Sequence, residues 1–298
     1  MTPGRSRRLV RTVVSCALAG LLAVGILRAA KDPTGLLNAL SIGSQGILEA
    51  DIAYGDLARQ HLDLYRPSQS RAVPAPVVVF FYGGAWSSGD RADVRFVGRF
   101  LAGEGFVAVI PDYRLRSEAA FPAFLDDGAK ALRWVQDHIA EHGGDPQRLF
   151  LMGHSAGAYN AIMLALHRHY GAAAGVDAAR IRGVVGLAGP YDFKLDTDLW
   201  RWVFGAASDL SATQPVRFAA SGAPPVLLVT GDRDETVDPE NSRSLARRLA
   251  AAKSPVRLLE LPGLGHADVL WKLSPWYPGR MLREEIVRFL DRPEMAGP

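Results

Sequence analysis

The chain has 298 residues, 48% of them hydrophobic and 22% charged, which suits one sizeable buried core and excludes disorder over most of its length. Its formal net charge of +3 is concentrated at one end. Residues 1–31 carry Arg5, Arg7, Arg8, Arg11, Arg28 and Lys31 and no acidic group, leaving 28 basic against 31 acidic residues afterwards, a balance of −3 that implies no basic face for nucleic acid.

The arginine-rich start runs into TVVSCALAGLLAVGIL, Thr12 to Leu27, an uncharged and mostly apolar stretch. Residues 1–31 therefore read as a signal peptide or a membrane anchor. The run is long for the first and short for the second, so both stay open, and either implies an exported or membrane-anchored protein, periplasmic if the source is bacterial. Cys16 is the only cysteine, so the folded part forms no internal disulfide. Residues 32–49 are small, glycine-containing and poorly periodic, and read as a connector to a single domain over 50–298.

Arg59 to Tyr65 alternates apolar and polar residues, the pattern of a half-buried, antiparallel strand. Val77–Tyr82, Phe106–Ile110, Arg148–Met152, Ile181–Ala188 and Pro225–Thr230 are continuous apolar runs, as strands buried on both faces of a parallel sheet require. Between them, Ala123 to His142 repeats apolar residues at helical spacing and stops at Gly143-Gly144. Further helices are expected over Ala156–Tyr170, Glu240–Ala252 and Gly279–Leu290. The alternation predicts an α/β fold, a mostly parallel doubly wound sheet with helices on both faces. Residues 192–223, rich in Trp, Phe and Ala, interrupt that rhythm and read as a small cap.

Within this frame, Gly153 to Gly157 (GHSAG) follows a buried strand and opens a helix, the setting of a nucleophile elbow. A tight strand-to-helix turn would lift the hydroxyl of Ser155 above the sheet, and only small residues at 153 and 157 let strand and helix approach that closely. A serine needs a base. Of seven histidines only His266 follows a predicted strand, Val256 to Leu261, through a glycine-rich loop. The base needs an acid to orient it, and GDRDETVDP offers Asp232, Asp234, Glu235 and Asp238 after the preceding strand. Asp234 is the choice. Asp232 is still near the strand, Asp238 before Pro239 suits a helix cap, and Asp192 is the outsider. Donors for a tetrahedral oxyanion are the amides of Gly83 and Gly84 (then Ala85), in YGGAW after an early buried strand, with Ala156 beside the nucleophile.

From about Leu57 onward the chain resembles α/β-hydrolase esterases of the hormone-sensitive-lipase and acetyl-esterase type, in the branch of feruloyl-esterase-like proteins and kynurenine formamidases. YGGAW, PDYRL with FPAFLDD, GGDPQRLFLMGHSAGA, GDRDETV and GLGH carry the resemblance. It implies hydrolysis of esters or small amides with no metal and no organic cofactor, the partner being a small-molecule ester. The family's oxyanion motif usually begins with histidine, where this chain has Tyr82. HIAEH, His138 to His142, fits a zinc-protease pattern but ends a sheet-packing helix with no further ligand in view, and is read as structural. The expectation is a serine carboxylesterase for short- to medium-chain esters working through an acyl-enzyme. The alternatives are an arylformamidase-like amide hydrolase and a membrane-tethered binding protein of the same fold.

Overall fold

The computed structural model describes residues 32–41, 46–69 and 72–293; the run read as signal or anchor lies outside them. Eight strands form one sheet: β1 (Ile47–Ala53), β2 (His61–Arg66), β3 (Ala75–Phe81), β4 (Val107–Pro111), β5 (Gly144–His154), β6 (Ile181–Leu187), β7 (Val226–Gly231) and β8 (Val256–Leu261). Their order is β1-β2-β4-β3-β5-β6-β7-β8. β2 runs antiparallel to both its neighbours and everything from β4 to β8 is parallel, as the alternating and continuous apolar runs predict. Every residue of β3, β4 and β7 is buried, so both faces of the sheet centre are covered.

The helices are α1 (Pro33–Leu40), α2 (Arg95–Gly103), α3 (Ala123–His138), α4 (Ala156–Leu166), α5 (Arg168–Ala173), α6 (Asp198–Phe204), α7 (Glu240–Ala251), α8 (His266–Trp271) and α9 (Met281–Asp291). α3 tightens into a 3-10 turn over Ile139–His142, whose end is set by Gly143 at φ 80°. The helix expected from Ala156 to Tyr170 breaks at His167, so α4 and α5 are separate.

Residues 32–49, which read as a connector, hold α1 and the start of β1. Neither had a periodic signal to give, because α1 buries only Leu37 and β1 buries no residue completely. α1 is nevertheless fastened. Asn38 donates to the carbonyls of Ala92 and Asp93 at 3.0 and 2.8 Å and accepts from the amide of Phe96, while Trp271 donates to the Thr34 hydroxyl at 3.3 Å. No helix among the described residues is long and apolar enough to cross a membrane.

Candidate active site

β5 ends at His154 and α4 begins at Ala156, which leaves Ser155 alone to turn the chain. It does so at φ 55° and ψ −124°, a conformation costly for any residue with a Cβ. The flanking glycines are demanded by backbone, not by side chains. A Cβ on Gly153 would run into the carbonyl of Gly157, and one on Gly157 into the carbonyl of Phe81 at the end of β3. Ser155 stands at the N-cap of α4 without capping it; its Oγ lies 2.9 Å from Nε2 of His266.

The structure places His266 on the first turn of α8 and not in the loop expected, because Asp268 accepts the amide of Gly265 at 2.9 Å and closes a helical turn there. The preceding loop crosses the end of β7, with Arg233 donating to the Leu264 carbonyl at 3.0 Å. Gly231 makes that crossing possible, since a Cβ there would collide with the same carbonyl. Asp234 receives Nδ1 of His266 on Oδ2 at 2.8 Å, and the amides of Thr236 and Val237 on Oδ1 at 2.9 Å each. Burial pushes its carboxyl up, but the His266 hydrogen bond and the two amides outweigh that and hold it below the usual carboxylate range. A carboxylate can only accept, so the proton between them sits on Nδ1 and the lone pair of Nε2 faces the Ser155 hydroxyl.

Glu235 is exposed, and Asp232, Asp238 and Asp192 are engaged elsewhere. Asp232 accepts the amide of Gly263 at 2.6 Å, Asp238 caps the start of α7 through the amide of Glu240 at 2.9 Å, and Asp192 takes the Ser244 hydroxyl.

Opposite the imidazole, the loop after β3 brings Gly83 against the elbow: a Cβ there would sit 3.0 Å from Cβ of Ser155. Among the described residues, none accepts a hydrogen bond from the amides of Gly83, Gly84 or Ala156. The next three residues, Gly84, Ala85 and Trp86, have φ of 125°, 53° and 54°, a left-handed run that two non-glycine residues adopt only because the loop is tied down. Trp86 donates from Nε1 to Asn160 Oδ1 on α4 at 2.9 Å. Tyr82, where the esterases this chain resembles usually have histidine, donates its hydroxyl to Asp112 at 2.8 Å and accepts from Arg59 at 2.7 Å. Arg59 also reaches the Gly89 carbonyl at 2.7 Å, and Asp112 is further held by the amide and guanidinium of Arg91. Tyr113 donates to the Tyr82 carbonyl at 2.7 Å. The motif PDYRL supplies Asp112 and Tyr113, so the resemblance flagged these positions, but their purpose as loop anchors was visible only in three dimensions.

The segment over 192–223, between β6 and β7, lays aromatic rings on this loop. Phe204 and Trp200 lie 5.1 and 6.1 Å from the Trp86 ring, and Phe193 stacks on Trp200 at 4.3 Å. Trp202 points away, 41% exposed, with Arg116 over its ring. In HIAEH, His142 hydrogen-bonds Glu49 at 2.8 Å. Among the described residues no group of three His, Cys, Asp or Glu side chains is gathered as a metal site would need.

A family model, BD-FAE, matches residues 62–249, which include the elbow, the oxyanion loop and Asp234. The chain belongs to the BD-FAE family. Among curated proteins, it is 31% identical over 240 residues to isoprenylcysteine alpha-carbonyl methylesterase ICME of Arabidopsis thaliana, covering 73% of this chain and 56% of that one. Esterase LipC of Mycobacterium tuberculosis is also 31% identical over 240 residues, covering 72% and 58%. This BD-FAE chain thus spans little more than half the length of these relatives. In structure it is similar to esterase B from Lactobacillus rhamnosis, with a TM-score of 0.73, 22% identity, and 93% and 95% of the two chains covered. It is also similar to a truncated carbohydrate esterase from gut microbiota, with a TM-score of 0.70, 19% identity, and 85% and 97% covered. These neighbours show the fold as α/β-hydrolase, as the resemblance implied, within the α/β class that the alternating strands and helices predict.

Proposed function

We propose that this protein is a serine carboxylesterase for short- to medium-chain esters, with Ser155, His266 and Asp234 as its catalytic residues. The observation that carries the reading is the single imidazole within hydrogen-bond reach of both the Ser155 hydroxyl and the Asp234 carboxylate. Ser155 Oγ attacks the ester carbonyl as His266 Nε2 takes its proton, and Asp234 stabilises the imidazolium. The oxyanion that forms is met by the amides of Gly83, Gly84 and Ala156. Collapse breaks the bond to the alcohol, which leaves with the proton from His266, and the acyl group stays on Ser155. Water, deprotonated by the same imidazole, then releases the acid. The named activities of the relatives, an esterase and a methylesterase, support ester over amide.

A fluorophosphonate probe tests the nucleophile: wild type labels, Ser155→Ala does not, and labelling of the variant refutes the assignment. A panel of p-nitrophenyl esters from acetate to octanoate, with an arylformamide alongside, tests the substrate class. Faster turnover of the arylformamide would make the enzyme an amidase, and no turnover of any member would leave the binding-protein reading.

We place the protein on the exported side of a membrane, tethered or released through its first 31 residues. An alkaline wash of isolated membranes decides between the two: an anchored chain stays and a cleaved one is released.

A further inference from the structure

One buried titratable group at the site has no part in the chemistry above. His154, the variable position of Gly-x-Ser-x-Gly, is the last residue of β5 and is 6% exposed. Its Nε2 lies 3.0 Å from the main-chain carbonyl oxygen of His266, and the two rings are 4.8 Å apart. Burial, with His266 alongside, pushes its pKa down to about 3, so the ring is neutral and carries one proton. A carbonyl oxygen can only accept, which puts that proton on Nε2. The other ring nitrogen lies on the Gly83 side, 3.2 Å from where a Cβ of that residue would be. The imidazole therefore fills the space between the oxyanion glycine, the nucleophile turn and the helix that carries the base. His266 comes from beside the sheet-edge strand β8, whereas Ser155 follows β5, with β6 and β7 between them. The 3.0 Å bond from His154 ties the two segments directly.

We propose that His154 is a positioning residue: by donating Nε2–H to the carbonyl of His266 it sets where the base stands relative to Ser155. The proposal rests on the serine-hydrolase reading, and the wild type controls for that. If wild type neither labels nor hydrolyses p-nitrophenyl butyrate, the reading fails; if it does both, the variants judge His154. Glutamine can present an amide donor near the position of Nε2, while methionine fills similar volume with none.

His154→Met is expected to lower kcat and the fluorophosphonate labelling rate on the order of 10- to 100-fold, the scale for misplacing a catalytic group, with KM changing less than about threefold. His154→Gln is expected to restore most of both rates. Wild-type kcat in His154→Met overturns the proposal, and so does an equal loss in both variants, which would mean that the ring acts by packing alone. Should His154→Met fail to fold, nitrogen-15 histidine NMR of the wild-type protein supplies the second measurement. It is expected to show His154 protonated at Nε2 and not titrating between pH 5 and 9; an Nδ1–H tautomer or a titrating ring overturns the proposal.

Discussion

The elbow and the proposed oxyanion loop both hold strained backbone beside the Ser155 hydroxyl, but by different means. At the elbow, one left-handed residue is trapped between main-chain surfaces, with Gly153 on Gly157 and Gly157 on Phe81. In the oxyanion loop, three left-handed residues in succession rest partly on main chain, Gly84 against the Ser88 carbonyl and the Trp86 carbonyl accepting from the Arg116 amide, but they also depend on side chains: Trp86 on Asn160, and Tyr82 on Asp112 and Arg59. Main-chain contact cannot be relaxed by changing one rotamer, whereas side-chain anchors can be removed singly. The elbow should therefore fail abruptly and the loop by degrees.

The largest effect expected is chemical. Ser155→Ala should lose about 10⁴-fold or more in kcat with little change in thermal midpoint, because its Cβ and backbone are kept. Gly157→Ala comes next and tests the main-chain trap. Its Cβ meets a carbonyl that cannot turn aside, so a loss of at least ~3 kcal/mol in unfolding free energy is expected by calorimetry or denaturant titration. A variant with wild-type stability and activity would show that main-chain crowding does not fix the elbow.

Acid acts on the elbow through His154. The folded pKa of His154, about 3, lies below the value near 6.5 of an unfolded histidine, so between them the unfolded chain binds the extra proton. The stability this residue contributes is complete above about pH 6.5 and is lost as pH falls towards 3, by at most ~1.4 kcal/mol per pH unit. Denaturant midpoints measured from pH 7 to pH 4 should decline more steeply for wild type than for His154→Gln. The smallest effect belongs to the loop. Tyr82→Phe removes one hydroxyl from a network in which Asp112 and Arg59 keep other partners, so a cost of ~1–2 kcal/mol and a few-fold drop in kcat are expected. A collapse as severe as that of Gly157→Ala would show that the loop is not built from separable anchors.

The same difference governs what could be read from sequence. Main-chain crowding leaves a local record: Gly153, Ser155 and Gly157 announce the turn because no other residue types fit it, and the apolar runs around it announce a buried sheet. That Asp234, and not Asp232 or Asp238, meets His266 was legible from strand and helix ends. Side-chain anchoring leaves no such record. Arg59 and Tyr82 are 23 positions apart, Trp86 and Asn160 are 74, and His154 and His266 are 112. Short or weakly buried elements were also silent: α1, β1, and α8, whose first turn depends on Asp268 accepting from Gly265.

β8, at the margin of the sheet, has one ladder, to β7, and only Leu261 of its six residues is buried. Marginal strands open at a lower free energy than central ones. Deuterium uptake should then be faster along Val256–Leu261 than along the core of β5. On warming, catalysis should fade before the fold melts, since fraying of this last strand withdraws the imidazole while the serine remains in place.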